Sequence, residues 1–388
     1  MKRFFTTLFL CILSFVVVTL FLSTASMEAK ASAAKLPSIT TCSGWKQVSN
    51  PIPPSSAAAF KGVAAASAND AWAVGYDAPY ALSFSNKTLI EHWNGTTWNV
   101  VSSPSPGSSD NQLFGVAVVS ANDVWAVGDY SNDGTTYQTL IEQWGGTSWN
   151  VMPSPGPISS NTALHGVAVA SANDIWAVGE SNGVPLIEHW DGTSWSVISS
   201  PGSNVYQLSA VTVVSPNDVW AVGDYFTGKY LATLTEQWNG SAWSIIPSLS
   251  HKQTWSYLNA VASVSGTKQL WTVGSFGNGY GKLFTEQWKG SAWSIVPIKS
   301  GPNFSSILYG VTSAGGTKNV ISVGYYQNQP DSPPIPLVEQ WNGLNWHAIY
   351  IQGTTGYLAA ISTVPGSKKI WAVGADAYDS VAEIFSYC

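Results

Sequence analysis

The chain has 388 residues and a formal net charge of −6; charged side chains make up only 10% of it, whereas Trp, Tyr and Phe make up 13%. This composition is typical of a well-packed globular protein and not of a disordered one. Arg3 is the only arginine. Because nucleic acid and phosphorylated partners are bound through basic patches and arginine forks, this composition argues against either as a ligand.

The first predicted element, residues 1–33, has the layout of a secretory signal peptide. A basic pair precedes the apolar run Phe4–Leu22, and the small-residue triplet Ala31-Ser32-Ala33 follows it. The alternative is an uncleaved anchor, since the uncharged run is long enough to span a bilayer. We expect a secreted or cell-surface protein with no other membrane segment, whose mature form has 13 lysines against 21 acids, a net charge of −8. Residues 34–41 are predicted to be a short linker.

The rest of the chain, residues 42–388, contains seven copies of one unit. The stretch DVWAVGDY (123–130) recurs in each unit, and its glycines are 44 to 53 residues apart. This spacing lies in the range expected for the blades of a propeller and is too long for most helical repeats. The glycines are Gly75, Gly128, Gly179, Gly223, Gly274, Gly324 and Gly374.

Each unit has four short runs rich in Val, Ile, Trp and Thr, separated by Asn, Asp, Gly, Ser and Pro, as expected for strands. In the second unit, strands a to d are GVAVVS (115–120), VWAVG (124–128), LIEQW (140–144) and WNV (149–151). No segment has a sustained 3.6-residue apolar period, so helices should be nearly absent. The sequence therefore predicts an all-β, seven-bladed β-propeller with four antiparallel strands per blade, formed as a single domain.

The last unit lacks a strand d, and the missing strand matches CSGWKQVSNPIP at residues 42–53. We therefore predict that the N-terminal strand closes the last blade. Two cysteines remain after removal of the leader, and both align with the turn between strands c and d, Cys42 with Gly192 and Cys388 with Thr193. Because an exported protein meets an oxidising environment, we predict a Cys42–Cys388 disulfide at this turn.

The motifs DVWAVG, LIEHWNG and TSWSV resemble the kelch and galactose-oxidase type of propeller repeat, especially the Trp-rich tandem repeats of exported bacterial propellers. The resemblance covers residues 42–388 and implies a propeller fold. It implies less about chemistry, because the kelch double glycine is replaced by Val-Gly. The copper oxidase of that family needs histidines and a thioether cysteine on the ring face. This chain does not provide them there, so we expect no metal and no cofactor.

A glutamate precedes the aromatic residue of strand c by two positions in every unit, with Phe385 taken as the aromatic residue of the last unit. These glutamates are Glu91, Glu142, Glu188, Glu236, Glu286, Glu339 and Glu383. One interpretation is a sugar-binding carboxylate beside a stacking indole. The other, which we favour, is a buried acceptor that ties neighbouring blades together, because buried carboxylates need partners. Most repeat tryptophans are likewise predicted to be core, and His92 and His189 to be packing variants of glutamine.

The a–b and c–d turns hardly vary in length, whereas the b–c and d–a connections vary strongly. Because strand direction alternates, the a–b and c–d turns lie on one face of the propeller and the variable connections lie on the other. An acidic and aromatic rim follows the strand b glycines on the variable face, and Trp255 lies outside the repeat pattern. The predicted ligand-binding residues are Asp129, Tyr130, Glu180, Asp224, Tyr225, Trp255, Phe276, Tyr325, Tyr326 and Asp376. The alternative is a solvated loop region with incidental tyrosines.

These features favour an exported, non-catalytic binding or scaffolding propeller, expected to be a monomer, with an extracellular glycan or a peptide or protein as its ligand. Nucleic acid is not expected as a partner. The alternative is a polysaccharide-acting glycoside hydrolase or lyase, since glycoside hydrolysis needs only two carboxylates and the rim offers several. No spacing singles out a catalytic pair, so no catalytic residue is assigned.

Overall fold

The computed structural model of the chain describes residues 44–51, 56–79, 85–157, 161–202, 206–251, 253–299, 304–351, 353–377 and 382–387. The predicted signal peptide and linker, and the two cysteines of the predicted disulfide, lie outside these residues. No helix in the described ranges has the length and hydropathy needed to cross a membrane.

The described residues form seven sheets of four antiparallel strands and contain no helix, which confirms the predicted propeller. Blades are numbered from the one that begins at residue 56. The strands a are Ser56–Ser67, Asp110–Ser120, Thr162–Ser171, Tyr206–Ser215, Trp255–Ser263, Ser305–Ser313 and Gly356–Thr363. The strands b are Asp70–Pro79, Asp123–Ser131, Asp174–Ser181, Asp218–Phe226, Leu270–Gly277, Val320–Gln327 and Ile370–Asp376. The strands c are Lys87–Trp93, Tyr137–Trp144, Val184–Trp190, Leu231–Trp238, Lys282–Trp288, Ile335–Trp341 and Ala382–Tyr387. The strands d are Trp98–Val100, Trp149–Val151, Trp195–Val197, Trp243–Ile245, Trp293–Ile295, Trp346–Tyr350 and, in blade 7, Trp45–Val48.

Blade 7 closes the ring as predicted, because its fourth strand is the N-terminal strand, with Trp45 paired to Tyr387. Strand a of blade 7 also lies beside strand a of blade 1. The predicted register of strand c was wrong by two residues. Tyr387, not Phe385, takes the place of the other strand c tryptophans, since it pairs with Ile370 as Trp93 pairs with Ala71.

Phe385 takes the place of the strand c glutamate in blade 7, because it pairs with Ala372 as Glu91 pairs with Ala73. The recurring strand c glutamate therefore occurs in six blades, and Glu383 does not belong to the series. A slip of two residues keeps every side chain on the same face of the strand, so the hydrophobic pattern does not reveal it. Phe385 is completely buried, and an apolar ring satisfies this site without a partner.

The core lies between blades and consists mainly of indole rings, as predicted. In the interface between blades 2 and 3, Trp125 of strand b contacts Trp190 and Trp195 of the next blade, with ring centroids 5.0 and 5.4 Å apart. The same arrangement recurs at five further interfaces, and the six strand b tryptophans are at most 1% exposed. Between blades 6 and 7, Ile321 takes the place of the strand b tryptophan and packs near Trp45 and Tyr387. Each such cluster removes three large rings from water at once.

The recurring strand b glycine is required by the close approach of strand a. A Cβ atom at Gly179 would lie 1.9 Å from the carbonyl oxygen of Ala163, a backbone atom that is held by the paired strands. The other six glycines meet the same carbonyl at 1.9 to 2.0 Å. The glycine that defines the repeat in the sequence is therefore a steric requirement of the two innermost strands.

Candidate functional site

Every strand a contains a bulge at the same place, between the buried residue that pairs with the strand b glycine and the next paired residue. The extra residue of each bulge lines a central cavity of about 750 Å³. These bulge residues are Lys61, Phe114, His165, Ser209, Asn259, Tyr309 and Ala359. A bulge turns a side chain away from the normal alternation and is often found at binding sites. We call this ring of residues the channel ring.

The sequence analysis missed the channel ring, although a signal was present. In every unit one variable residue stands between Leu or Phe and a small residue, as in LFGV (113–116), LHGV (164–167) and LSAV (208–211). The flanking positions hardly vary because they pack between blades. The variable position is the one that faces the channel.

Side chains of blades 6, 7 and 1 form an aromatic side of the channel that also carries a cation. The Nζ atom of Lys61 donates a hydrogen bond of 2.7 Å to the hydroxyl of Tyr357 and lies 5.0 Å from its ring centroid. Tyr309 lies with its ring centroid 6.0 Å from that of Tyr357 and 5.9 Å from that of Tyr325. These contacts hold one ammonium group and three phenol rings together.

Other members of the channel ring are tied to the backbone of the next blade. The Nδ1 atom of His165 lies 3.1 Å from the carbonyl oxygen of Leu208, and the amide of Asn259 donates to the carbonyl oxygen of Leu308 at 2.7 Å. Burial lowers the pKa of His165, so its imidazole is neutral near pH 7. The ring is thus a fixed surface and not a set of free side chains.

The mouth of the channel is acidic on the side of blades 2, 3 and 4. Burial raises the pKa of Asp129 to about 7, helped by the negative charge of Asp110. Burial also raises the pKa of Asp224 to about 6, although Gln207 donates a 2.9 Å hydrogen bond to it. Asp129 and Glu180 line a smaller cavity of about 240 Å³ between blades 2 and 3. Among the described residues, no three His, Cys, Asp or Glu side chains converge as metal ligands would.

The predicted rim is divided by strand alternation into two sets of residues. Those directly after the strand b glycine point towards the channel side: Asp129, Glu180, Asp224 and Tyr325. Those one residue further on pack against the core between blades, beside the tryptophan clusters: Tyr130, Tyr225 and Tyr326. The structure therefore brings only the first set near the channel mouth.

The remaining predicted site residues lie apart from the channel ring. Phe276 stacks on His251 in a separate cleft of blade 5, with ring centroids 3.6 Å apart. Trp255 begins strand a of blade 5 and is 40% exposed, which makes it the most accessible tryptophan of the described residues. Asp376 ends strand b of blade 7, where it pairs with Gly356.

The strand c glutamates act as buried acceptors between blades, which agrees with the interpretation that we favoured. The hydroxyl of Ser154, in the connection that leaves blade 2, donates to both oxygens of Glu188 in blade 3, at 2.8 and 3.0 Å. Ser200 makes the same pair of bonds to Glu236. The backbone N–H of Leu249 donates to Glu286 at 2.7 Å. These carboxylates are fully buried and cannot reach a sugar.

Glu91 and Glu142 are exceptions, because neither carboxylate has a hydrogen-bond partner among the described residues. Glu142 is the more deeply buried example. Burial raises its pKa from the usual 4.5 to about 8. The folded state therefore holds this proton more tightly than the unfolded state does. The contribution of protonated Glu142 to the free energy of unfolding is fully present below about pH 4.5. It is lost as the pH rises through about 8.

Replacing Glu142 by glutamine should therefore raise the melting temperature more at about pH 9 than at about pH 5, because the amide carries no charge to bury. Glu188→Gln is the matched control and should gain less, since its carboxylate has a serine partner. Thermal melts of the three proteins across this pH range measure the effect. An E142Q protein that melts with the same pH dependence as the parent would contradict the assignment.

The two strand c histidines are packing residues, as predicted. The Nε2 atom of His92 lies 2.9 Å from Asp70, and its ring stacks on Trp72 with centroids 4.2 Å apart. His189 has the same relation to Asp174. In blade 2 the amide of Gln143 replaces the imidazole and donates to Asp123. Histidine and glutamine can replace each other at this site because each places a side-chain nitrogen within hydrogen-bond distance of the aspartate that begins strand b.

Comparisons with known proteins relate the chain to solved structures only. No family model matches it, and no curated protein sequence matches it. It is similar to YCF48 bound to D1 peptide, with a TM-score of 0.55 and 13% identity over 88% of this chain and 96% of that chain. It is similar to YCF48 from Cyanidioschyzon merolae, with a TM-score of 0.56 and 14% identity over 89% and 99% of the two chains. It is also similar to U3-55K, with a TM-score of 0.57 and 9% identity over 89% and 98%.

At such low identity these likenesses concern the fold alone. They support the seven-bladed propeller, and the resemblance to the kelch and galactose-oxidase type goes no further than that architecture. The chain is a seven-bladed β-propeller in which the channel ring, whose residues differ from blade to blade, faces the central channel.

Proposed function

We propose that this chain is a non-catalytic binding propeller that takes a peptide segment of its ligand into the mouth of the central channel. The observation that carries the proposal is the channel ring. Seven structurally equivalent positions hold seven different side chains, while the residues around them hardly change. A residue needed only for packing would repeat with the blade.

The chemistry of the channel suits a peptide. Its walls offer an ammonium group, an imidazole, an amide, hydroxyls and aromatic rings, so that backbone groups and side chains of a peptide both find partners. Its volume of about 750 Å³ lies in the range of small-ligand sites. One similar propeller is described as bound to a peptide, which supports this ligand class. The repeat tryptophans are buried between blades, which disfavours a carbohydrate stacked on them.

Charge at the mouth favours a peptide with a basic residue. Asp129, Glu180 and Asp224 lie on the side of blades 2 to 4, and Lys61 lies in blade 1, which neighbours blade 2. The acidic side attracts a basic residue of the ligand, most strongly above about pH 7, where Asp129 is also ionised. From the predicted leader we further propose that the protein is exported and meets this ligand outside the cell.

A variant that fills the channel tests the proposal. Ser209 is a small member of the channel ring, and Ser209→Trp should occlude the cavity without entering the interface between blades. We expect peptides selected by the parent from a phage-displayed random library to be enriched in Lys and Arg and to lose binding to this variant. Leu344→Trp is the matched control, since Leu344 is 80% exposed in the c–d turn on the opposite face.

Three outcomes would decide against the proposal. Selected peptides that bind S209W and the parent equally would place the site elsewhere. A glycan array that is positive where the peptide library is blank would replace the ligand class. Reducing ends released from a panel of polysaccharides would favour the hydrolase alternative.

Melting temperatures of S209W and L344W should stay near that of the parent. Loss of binding in S209W would then result from occlusion of the channel and not from unfolding.

A further inference from the structure

A second cavity, of about 370 Å³, lies in blade 5 and is separate from the channel ring. Its walls come from the segment before strand a of blade 5, from strands b, c and d of that blade and the connection after strand d, and from the start of blade 6. Four aromatic side chains, His251, Phe276, Phe284 and Phe304, line it together with Leu283, Val296 and Ile298. We call it the blade 5 cleft. No residue of the channel ring contributes to it.

The aromatic side chains of the cleft are arranged as a wall. The His251 and Phe276 rings are stacked face to face, with centroids 3.6 Å apart and an interplanar angle of 8°. The edge of Phe284 meets both of them, at 5.5 and 6.1 Å. Burial, and then the nearby charge of Lys282, lower the pKa of His251, so the imidazole is neutral and packs as an apolar ring. Phe304, just before strand a of blade 6, also lines the cleft, with its ring centroid 4.1 Å from that of Tyr280.

Lys282 and Lys299 line the cleft and are exposed at its rim. They belong to a region of unusual charge for this chain. Residues 251–299 contain five lysines and a single acid, Glu286, whereas the whole chain has a net charge of −6. Glu286 is fully buried and accepts a hydrogen bond from the backbone, so it does not neutralise the rim. No ion pair involving Lys282 or Lys299 occurs among the described residues.

We propose that the blade 5 cleft binds an aromatic carboxylate, with the ring of the ligand between Phe304 and the stacked His251 and Phe276, and its carboxylate at Lys282 and Lys299. Apolar walls with a few polar groups at the opening are the usual composition of a small-ligand site. Two ammonium groups select a negative charge, and aromatic walls select a flat ring. The proposal does not rest on the function proposed for the channel.

Isothermal titration of the full-length protein with indole-3-acetate, and with the neutral indole-3-acetamide as its matched probe, tests this site. We expect saturable binding of the carboxylate and at least about tenfold weaker binding of the amide, because the amide loses both ionic contacts. Lys282→Gln with Lys299→Gln should weaken the carboxylate by about tenfold and bring it close to the amide. Phe304→Ala should weaken both probes.

Two controls separate this result from general charge or channel effects. Lys289→Gln removes a lysine of the same blade from the c–d turn, on the opposite face, and should leave binding unchanged. Ser209→Trp, which fills the channel, should also leave it unchanged. Equal affinity for the two probes, unchanged affinity in the double lysine variant, or no saturable binding of indole-3-acetate would each overturn the proposal. Binding that S209W abolishes would move the probe into the channel.

Discussion

Replacing Gly179 by alanine is expected to lower the free energy of unfolding by about 3 kcal/mol or more, or to prevent folding altogether. The added Cβ atom would lie 1.9 Å from the carbonyl oxygen of Ala163. The residues before and after Ala163 are paired with strand b of the same blade. The carbonyl oxygen can therefore move only if the pairing of these two innermost strands opens. Urea unfolding followed by tryptophan fluorescence measures the loss.

Gly145→Ala is the matched control for this variant. Gly145 lies in the exposed c–d turn of blade 2, and nothing stands within 4 Å of a Cβ atom built there. It should unfold at nearly the same urea concentration as the parent protein. If Gly179→Ala proved as stable as Gly145→Ala, the close approach of strands a and b would not be the reason for the repeating glycine.

Loss of the predicted Cys42–Cys388 disulfide should have the second large effect. Both cysteines lie outside the described residues, but the strands next to them are paired, with the rings of Trp45 and Tyr387 5.5 Å apart. Tyr387 corresponds to Trp190 in the pairing of strand c, so Cys388 aligns in sequence with Asp191 and not with Thr193. Asp191 is next to Gly192, with which Cys42 aligns. The bond would thus replace a turn that the other blades form with continuous backbone.

Cys388→Ser should therefore cost about 4 kcal/mol in the chain-entropy model of a closed loop. The reason is that the disulfide restricts the unfolded chain over nearly its whole length. The blade 7 seam should open first, so limited proteolysis should cut within residues 44–51 before the other blades melt. Mass spectrometry of unreduced peptides from exported protein should find the two cysteines joined.

The paired variants provide the control for this prediction. Cys42→Ser should destabilise the protein as much as Cys388→Ser does, and the double variant should lose little more than either single one, because both remove the same bond. Additive losses would indicate two independent roles. Free thiols at both positions in exported material would contradict the prediction directly.

Most of the fold could be predicted from the sequence alone. Four short β-favouring runs repeat seven times at blade-length spacing, and the missing strand of the last unit reappears at residues 42–53, so strand number, blade number and ring closure all followed. These features depend on local strand propensity and on period, which the amino-acid order carries directly. The burial of the tryptophans and of the strand c glutamates followed for the same reason.

The site depended on the tertiary structure. One-residue bulges expose the channel ring to the cavity, and a bulge depends on how two strands pair, not on either strand alone. Side chains alternate along strand b, so Tyr130 and Tyr225 of the predicted rim pack in the core, whereas Asp129 and Asp224 lie near the channel. The register of the last strand was misread because a two-residue slip preserves the face of every side chain. The sequence thus determined the periodic elements, whereas strand pairing decided which side chains face the ligand.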